Sequence, residues 1–138
     1  LGMQEPMLAR LDSLDAVRAW ADTIVAAQRA QHYRGCPLGS LAGELADHDK
    51  DARSELARSY QRWQRAIRDG LATMVQNGEL RGDVDVEPVA TSVLATLQGG
   101  LLLAKAMHAV APLETSLAAV VDHTGSFAAP RRRPARRH

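Results

Sequence analysis

The chain has 138 residues, 46% hydrophobic and 24% charged, which is one globular domain able to bury a core without disulfides or metal, with no room for a second sizeable domain. Its 24 Ala and 17 Leu against a single Phe favour helices and make a β-sandwich or barrel a poor expectation. The net charge of +1 is uneven: the five Arg of residues 131–138 leave residues 1–130 at −4, so the body offers no basic face of the kind that grips nucleic acid.

Residues 1–11 read as the end of a helix interrupted by Pro6, and Gln4, Glu5, Arg10, Asp12 and Asp15 within residues 1–15 argue against a signal peptide. Leu1 in place of Met leads us to expect a piece of a longer protein. Residues 13–32 place Leu14, Val17, Ala21, Ile24 and Gln28 at steps of three or four, with Trp20 beside the stripe, which predicts an amphipathic helix capped by Asp12 or Ser13. Tyr33 to Ser40, YRGCPLGS, marks a break. A short helix is expected over 41–47. Leu56, Tyr60, Trp63, Ile67, Leu71 and Met74 then define one long helix, capped by Asp49 or Asp51 and stopped by Asn77-Gly78.

Asp85 is expected to cap the next helix, with Pro88 in its first turn and an end near Ala109. From Val89 to Ala104 it holds no charge, and apolar side chains point in every direction. Such a helix is buried all round, and in so small a domain a second chain is its natural cover. Gly99-Gly100 implies close helix approach or room for something. Pro112 begins a last helix with Leu113, Leu117, Val120 and Val121 on one face, and the chain is expected to be disordered beyond Gly125. No apolar run reaches the roughly 18 residues of a membrane span. The fold class is all-α, a bundle of five to six helices over residues 1–125, followed by an Arg-rich tail at 126–138.

Catalytic patterns mostly fail. Ser40 lacks the nucleophile-elbow spacing, and no phosphate-binding glycine loop is present. His32, Cys36 and His48 do not complete a metal spacing, and Asp47, Asp49 and Asp51 do not fit a calcium loop. Neither a catalytic group, a metal nor a cofactor is therefore expected. A single Cys excludes an intramolecular disulfide. Trp20 and Trp63 are either core or the wall of a pocket between helices. Gln98, the only strongly polar side chain between Ser92 and Lys105, needs a partner if buried: a ligand, a group across a dimer or a backbone carbonyl.

Three stretches carry a resemblance: GCPLGSLAGELAD at 35–47, RSYQRWQRAIRDGLATMVQNGEL at 58–80 and VEPVATSVLATLQGGLLLAKAM at 86–107. Together they resemble the C-terminal domain of TetR/AcrR-family transcriptional regulators, nearest the LmrA/YxaF-like branch, over roughly residues 10–123. The resemblance implies a cytoplasmic, all-helical homodimer whose last two helices pair with those of the partner. On that placement Val93, Leu97, Gly100, Leu101, Leu117, Val120 and Val121 belong to the dimer interface. It also implies a pocket for a small, mostly apolar effector, with Trp20, Ile24, Trp63, Ile67 and Gln98 as ligand-binding residues, and release of the parent repressor from its DNA operator when the effector binds. The resemblance further implies that the DNA-reading helix-turn-helix of the family would lie upstream of Leu1, so that DNA is expected as a partner only through that domain. Two other functions compete, a dimerisation module with a filled core and a small enzyme using the same cavity.

Overall fold

The computed structural model describes residues 10–37, 39, 44 and 47–130. Among them run four helices: α1 (Leu14–Ala30), α2 (Lys50–Gln76), α3 (Val86–Met107) and α4 (Ala111–Gly125). No strand appears among the described residues, in line with the all-α expectation. The fifth and sixth helices of that expectation fall largely outside them: of 41–47 only Glu44 and Asp47 are described, and of 1–11 only Arg10 and Leu11, which are not helical.

Capping side chains fix where the helices start. The Ser13 hydroxyl accepts the Ala16 N–H at 3.0 Å. The Glu79 carboxylate, 65 residues away in the chain, accepts the Leu14 N–H at 2.8 Å and sets a negative charge at the positive end of α1. Asp49 accepts from the N–H groups of Asp51 and Ala52 at 2.9 and 3.1 Å. Asp85 accepts from Glu87. Gly78, at φ +77°, ends α2 in the left-handed region that glycine enters without strain.

Helix α3 is the spine. It packs most extensively on α4 and next on α2, while α1 lies against α4. Its Val89, Ala90, Val93, Leu94, Leu97, Gly100, Leu101 and Ala104 point inward, where they join Trp20, Ile24, Trp63 and Ile67 in one continuous core. Gly100 allows α3 and α4 to touch, since a Cβ there would stand 2.7 Å from Cβ of Ser116. Within α2, a Cβ on Gly70 would run into the backbone carbonyl of Leu11.

Four observations bear on these expectations. First, the chain by itself leaves part of the apolar surface of α3 uncovered: Leu102, Leu103 and Met107 are 65%, 50% and 64% exposed. Second, most of the residues assigned to a dimer interface are consumed inside one chain. Val93, Leu97, Leu101, Leu117 and Val120 are buried at 4% exposure or less, and Gly100 is pressed against α4. Side chains with so little surface left have almost none to give a second copy. Val121 alone of that set is half-buried.

Third, Val86–Met107 does meet the length and hydropathy of a membrane span, although 44% of its most apolar stretch is buried inside the domain. Its inward stripe is already committed to α2 and α4. Fourth, the chain does not leave the domain after Gly125. The Arg81 N–H donates to the Phe127 carbonyl at 2.9 Å, and the Ala129 N–H donates to the Glu79 carbonyl at 2.8 Å. The Arg81 guanidinium also lies over the Phe127 ring, 5.8 Å from its centre. Residues 126–129 are thereby tied to the α2–α3 connection.

Candidate functional site

The site begins with a turn. Gln28, on the buried stripe of α1, does not end in the core but reaches the loop that follows. Its amide donates to the Gly35 carbonyl at 3.3 Å and accepts the Gly35 N–H at 3.0 Å. This reciprocal pair satisfies a buried amide and holds a tight segment in which His32, Tyr33 and Gly35 all have positive φ. Non-glycine residues rarely take that conformation. Tyr33 meets His108 edge to face at 5.3 Å, which pins the turn to the C-terminal end of α3. Gly35 must be glycine twice over: its φ is +75°, and a Cβ would lie 3.1 Å from the Lys105 side chain.

The turn delivers Cys36 to a cleft of about 240 Å³ lined by Gly35, Cys36, Gly39, Tyr60, Gln98, Gly99, Leu102 and Lys105. Tyr60 comes from α2, and Gln98 with Gly99 from α3. The Tyr60 hydroxyl donates to Oε1 of Gln98 at 3.4 Å. Burial, and then the neighbouring Cys36, push the Tyr60 pKa above its ordinary value. Gly39 closes over the group, because a Cβ there would lie 3.1 Å from Oε1 of Gln98 and 3.6 Å from the Tyr60 oxygen. The ring of Tyr60 meets that of Trp63 edge to face at 5.6 Å.

Two donors in this neighbourhood are buried with no hydrogen-bond partner: Nε2 of Gln98 and Nε1 of Trp63. A buried orphan donor loses its water without recompense, so each marks a place where an acceptor would be favourable. A larger groove, about 590 Å³, runs between α1 and α4 past Arg18, Asp22, Arg29, Glu114 and Asp122. It is the weaker candidate despite its size. Its charges are exposed, and several pair with one another or with a neighbour, as Arg29 does with Glu114 at 3.2 Å and Arg18 with Asp15 at 3.9 Å.

The sequence-predicted ligand residues divide accordingly. Gln98 lines the cleft, and Trp63 is tied to it through Tyr60. Trp20, Ile24 and Ile67 are 3–4% exposed members of the core and line neither this cleft nor the grooves between α1 and α4 and between α3 and α4. Tyr60, Cys36, Gly39, Gly99, Leu102 and Lys105 were not assigned to a pocket from sequence. One signal was available for Tyr60, a hydroxyl-bearing side chain on the apolar stripe of α2. Among the described residues no group of three or more His, Cys, Asp or Glu is placed to hold a metal ion.

A family model described as "Tetracyclin repressor-like, C-terminal domain" matches residues 13–120. The chain is 32% identical over 89 residues to an uncharacterized HTH-type transcriptional regulator in the lacX 3' region of Lactococcus lactis subsp. lactis, covering 61% of this chain and 41% of that protein. It is 26% identical over 89 residues to the HTH-type transcriptional repressor DhaR of Mycobacterium sp. (strain GP1), covering 64% of this chain and 45% of that protein. The matched region thus spans less than half the length of these relatives. These matches carry no assignment to a branch within the family, and no solved structure matches.

Proposed function

Because the chain belongs to the tetracycline repressor-like C-terminal domain family, we propose that it is the effector-binding and dimerisation part of a longer, cytoplasmic DNA-binding repressor. A small, mostly apolar effector would occupy the cleft at Gln98 and release the parent protein from its operator. The observation that carries this reading is the position of the cleft. Gly99 and Leu102 line it, and both are also exposed on the outer face of α3.

That outer face is what recommends the helix as a dimer surface. Ser92, Ala95, Gly99, Leu103 and Ala106 are exposed at helical spacing, and none carries a charge. A second α3 can approach closely over such small side chains, with Leu102, Leu103 and Met107 as apolar anchors. Large exposed apolar groups clustered in this way mark an interaction surface. A groove of about 240 Å³ beside it, lined by Ser92, Thr96, Ala119 and His123, offers room for a partner helix across α3 and α4.

Effector and dimer would then be coupled through shared residues. A ligand that displaces Leu102 or widens the approach at Gly99 alters how the two copies of α3 sit against each other. A difference in ligand affinity between two dimer geometries is all that such a population shift requires. Sedimentation velocity tests the assembly. A dimer at micromolar concentration is expected, and a stable monomer there would count decisively against the proposal.

A further inference from the structure

The unpaired amide at the cleft narrows the chemistry of what the cleft takes. We infer that the effector carries a hydrogen-bond-acceptor oxygen, as in a small ketone, ester or amide, and that this oxygen accepts from Nε2 of Gln98. The inference rests on the cleft being the effector site and says which ligand class that site selects.

Three observations fix the polarity of the site. Oε1 of Gln98 is already engaged by the Tyr60 hydroxyl at 3.4 Å. Tyr60 carries its proton at neutral pH, since the ordinary tyrosine pKa is already about 10, and burial moves it in the same direction. The free end of the amide is therefore the donor end, and its Nε2 is buried and unpartnered. Nε1 of Trp63, a side chain only 3% exposed, is a second buried donor without a partner, on a ring that meets Tyr60 edge to face. The neighbourhood thus holds two spare donors, while the Gln98 oxygen already accepts from Tyr60. A ligand oxygen that reaches Nε2 through a small shift of the cleft wall gives the donor its missing partner; a ligand lacking that oxygen leaves the donor orphaned.

The rest of the wall sets size and body. Gly35, Gly39 and Gly99 bring backbone rather than side chains to the cleft, and Cys36 and Leu102 add apolar surface. A volume of about 240 Å³ is below the roughly 300–1,000 Å³ of pockets for drug-sized ligands. It suits one ring with a short substituent. Gly39 leaves room for the amide, since a Cβ there would stand 3.1 Å from Oε1 of Gln98.

Acetophenone and ethylbenzene test the inference, since they share a ring and a two-carbon substituent and differ in the carbonyl oxygen. Each would be titrated into the 15N-labelled chain while the Gln98 side-chain amide and the Trp63 indole N–H are followed by NMR. Acetophenone is expected to bind at least about ten-fold more tightly than ethylbenzene and to shift the Gln98 amide. Gln98→Leu should remove that preference, with the two probes binding alike; Gln98→Met, unbranched like glutamine, gives the same readout if the leucine variant folds poorly. Equal binding of both probes at the cleft in the unmodified chain would overturn the acceptor class and leave the cleft as the effector site. Absence of any shift at Gln98, Trp63 or Tyr60 with either probe would overturn both.

Discussion

Gly99 and Gly100 are neighbours in sequence and opposites in structure. A Cβ on Gly100 would meet the Ser116 side chain at 2.7 Å and the Leu113 Cα at 3.4 Å, whereas one on Gly99 meets nothing within 4 Å. Gly100 belongs to the inner face of α3, where Val93, Leu97 and Leu101 are sealed against the rest of the domain. Gly99 belongs to the outer face, which borders the cleft and carries Leu102, Leu103 and Met107 into the open. The helix is apolar on both faces for different reasons. One face holds the fold together; the other is free for a second molecule.

Substitutions that separate the two faces can break this comparison. The largest effect is expected on the inner face. Leu97 is fully buried, so Leu97→Ala should destabilise the fold by about 2–5 kcal/mol in urea titration. Leu97→Glu should prevent folding altogether, because it buries an unpaired charge. The outer face should behave in the reverse way. Leu103→Glu combined with Met107→Glu should leave the melting temperature of the monomer nearly unchanged. The dimer constant should fall by the equivalent of about 2–4 kcal/mol, the range of interface anchors, as read by sedimentation. A fall in stability as large as that of Leu97→Ala would mean that these side chains serve the fold instead.

The glycine pair provides a smaller contrast. Gly100→Ala must push α4 away and should cost about 1–3 kcal/mol. Gly99→Ala has space and raises helix propensity, so it should stabilise the isolated chain by up to about 1 kcal/mol. If it also weakens dimerisation, the partner helix approaches at that position. The smallest effect is alkaline. The folded-state pKa of Tyr60 is raised, so its contribution to stability is fully present below the ordinary tyrosine pKa of about 10. It is lost as pH rises through the raised value, because the unfolded chain ionises first. Tyr60→Phe should flatten that alkaline decline, which thermal unfolding at stepped pH would measure.

The helices were legible because each rests on local rules. The stripe of Leu56, Tyr60, Trp63, Ile67, Leu71 and Met74 is a consequence of the helical period, and Asp49 and Asp85 cap because a short polar side chain reaches the open N–H groups of a first turn. The site was legible only at Gln98, whose amide stood out in an uncharged helix. Trp20 and Trp63 show where the reading ended. Both lie on or beside apolar stripes and both are buried, and Trp63 meets the polar cluster through a Tyr60 that also reaches a residue 38 positions away. No local rule carries that contact. The turn held by Gln28 was hidden for the same reason: a buried Gln on a stripe gives no sign that its partner is the backbone of Gly35.

By itself the sequence determined that the chain is helical, where the long helices lie, and that α3 has more apolar surface than one small domain can bury. Periodicity, caps and composition are properties of neighbours in the chain, and they need no tertiary contact to be read. Only the tertiary structure decided which face of α3 is spent on the core and which remains outward. That choice depends on where α4 and α2 pack, and it turns on the close approach that Gly100 permits. The same packing moved the expected dimer residues inward, left Leu102, Leu103 and Met107 exposed, and set an unpaired amide beside a cleft.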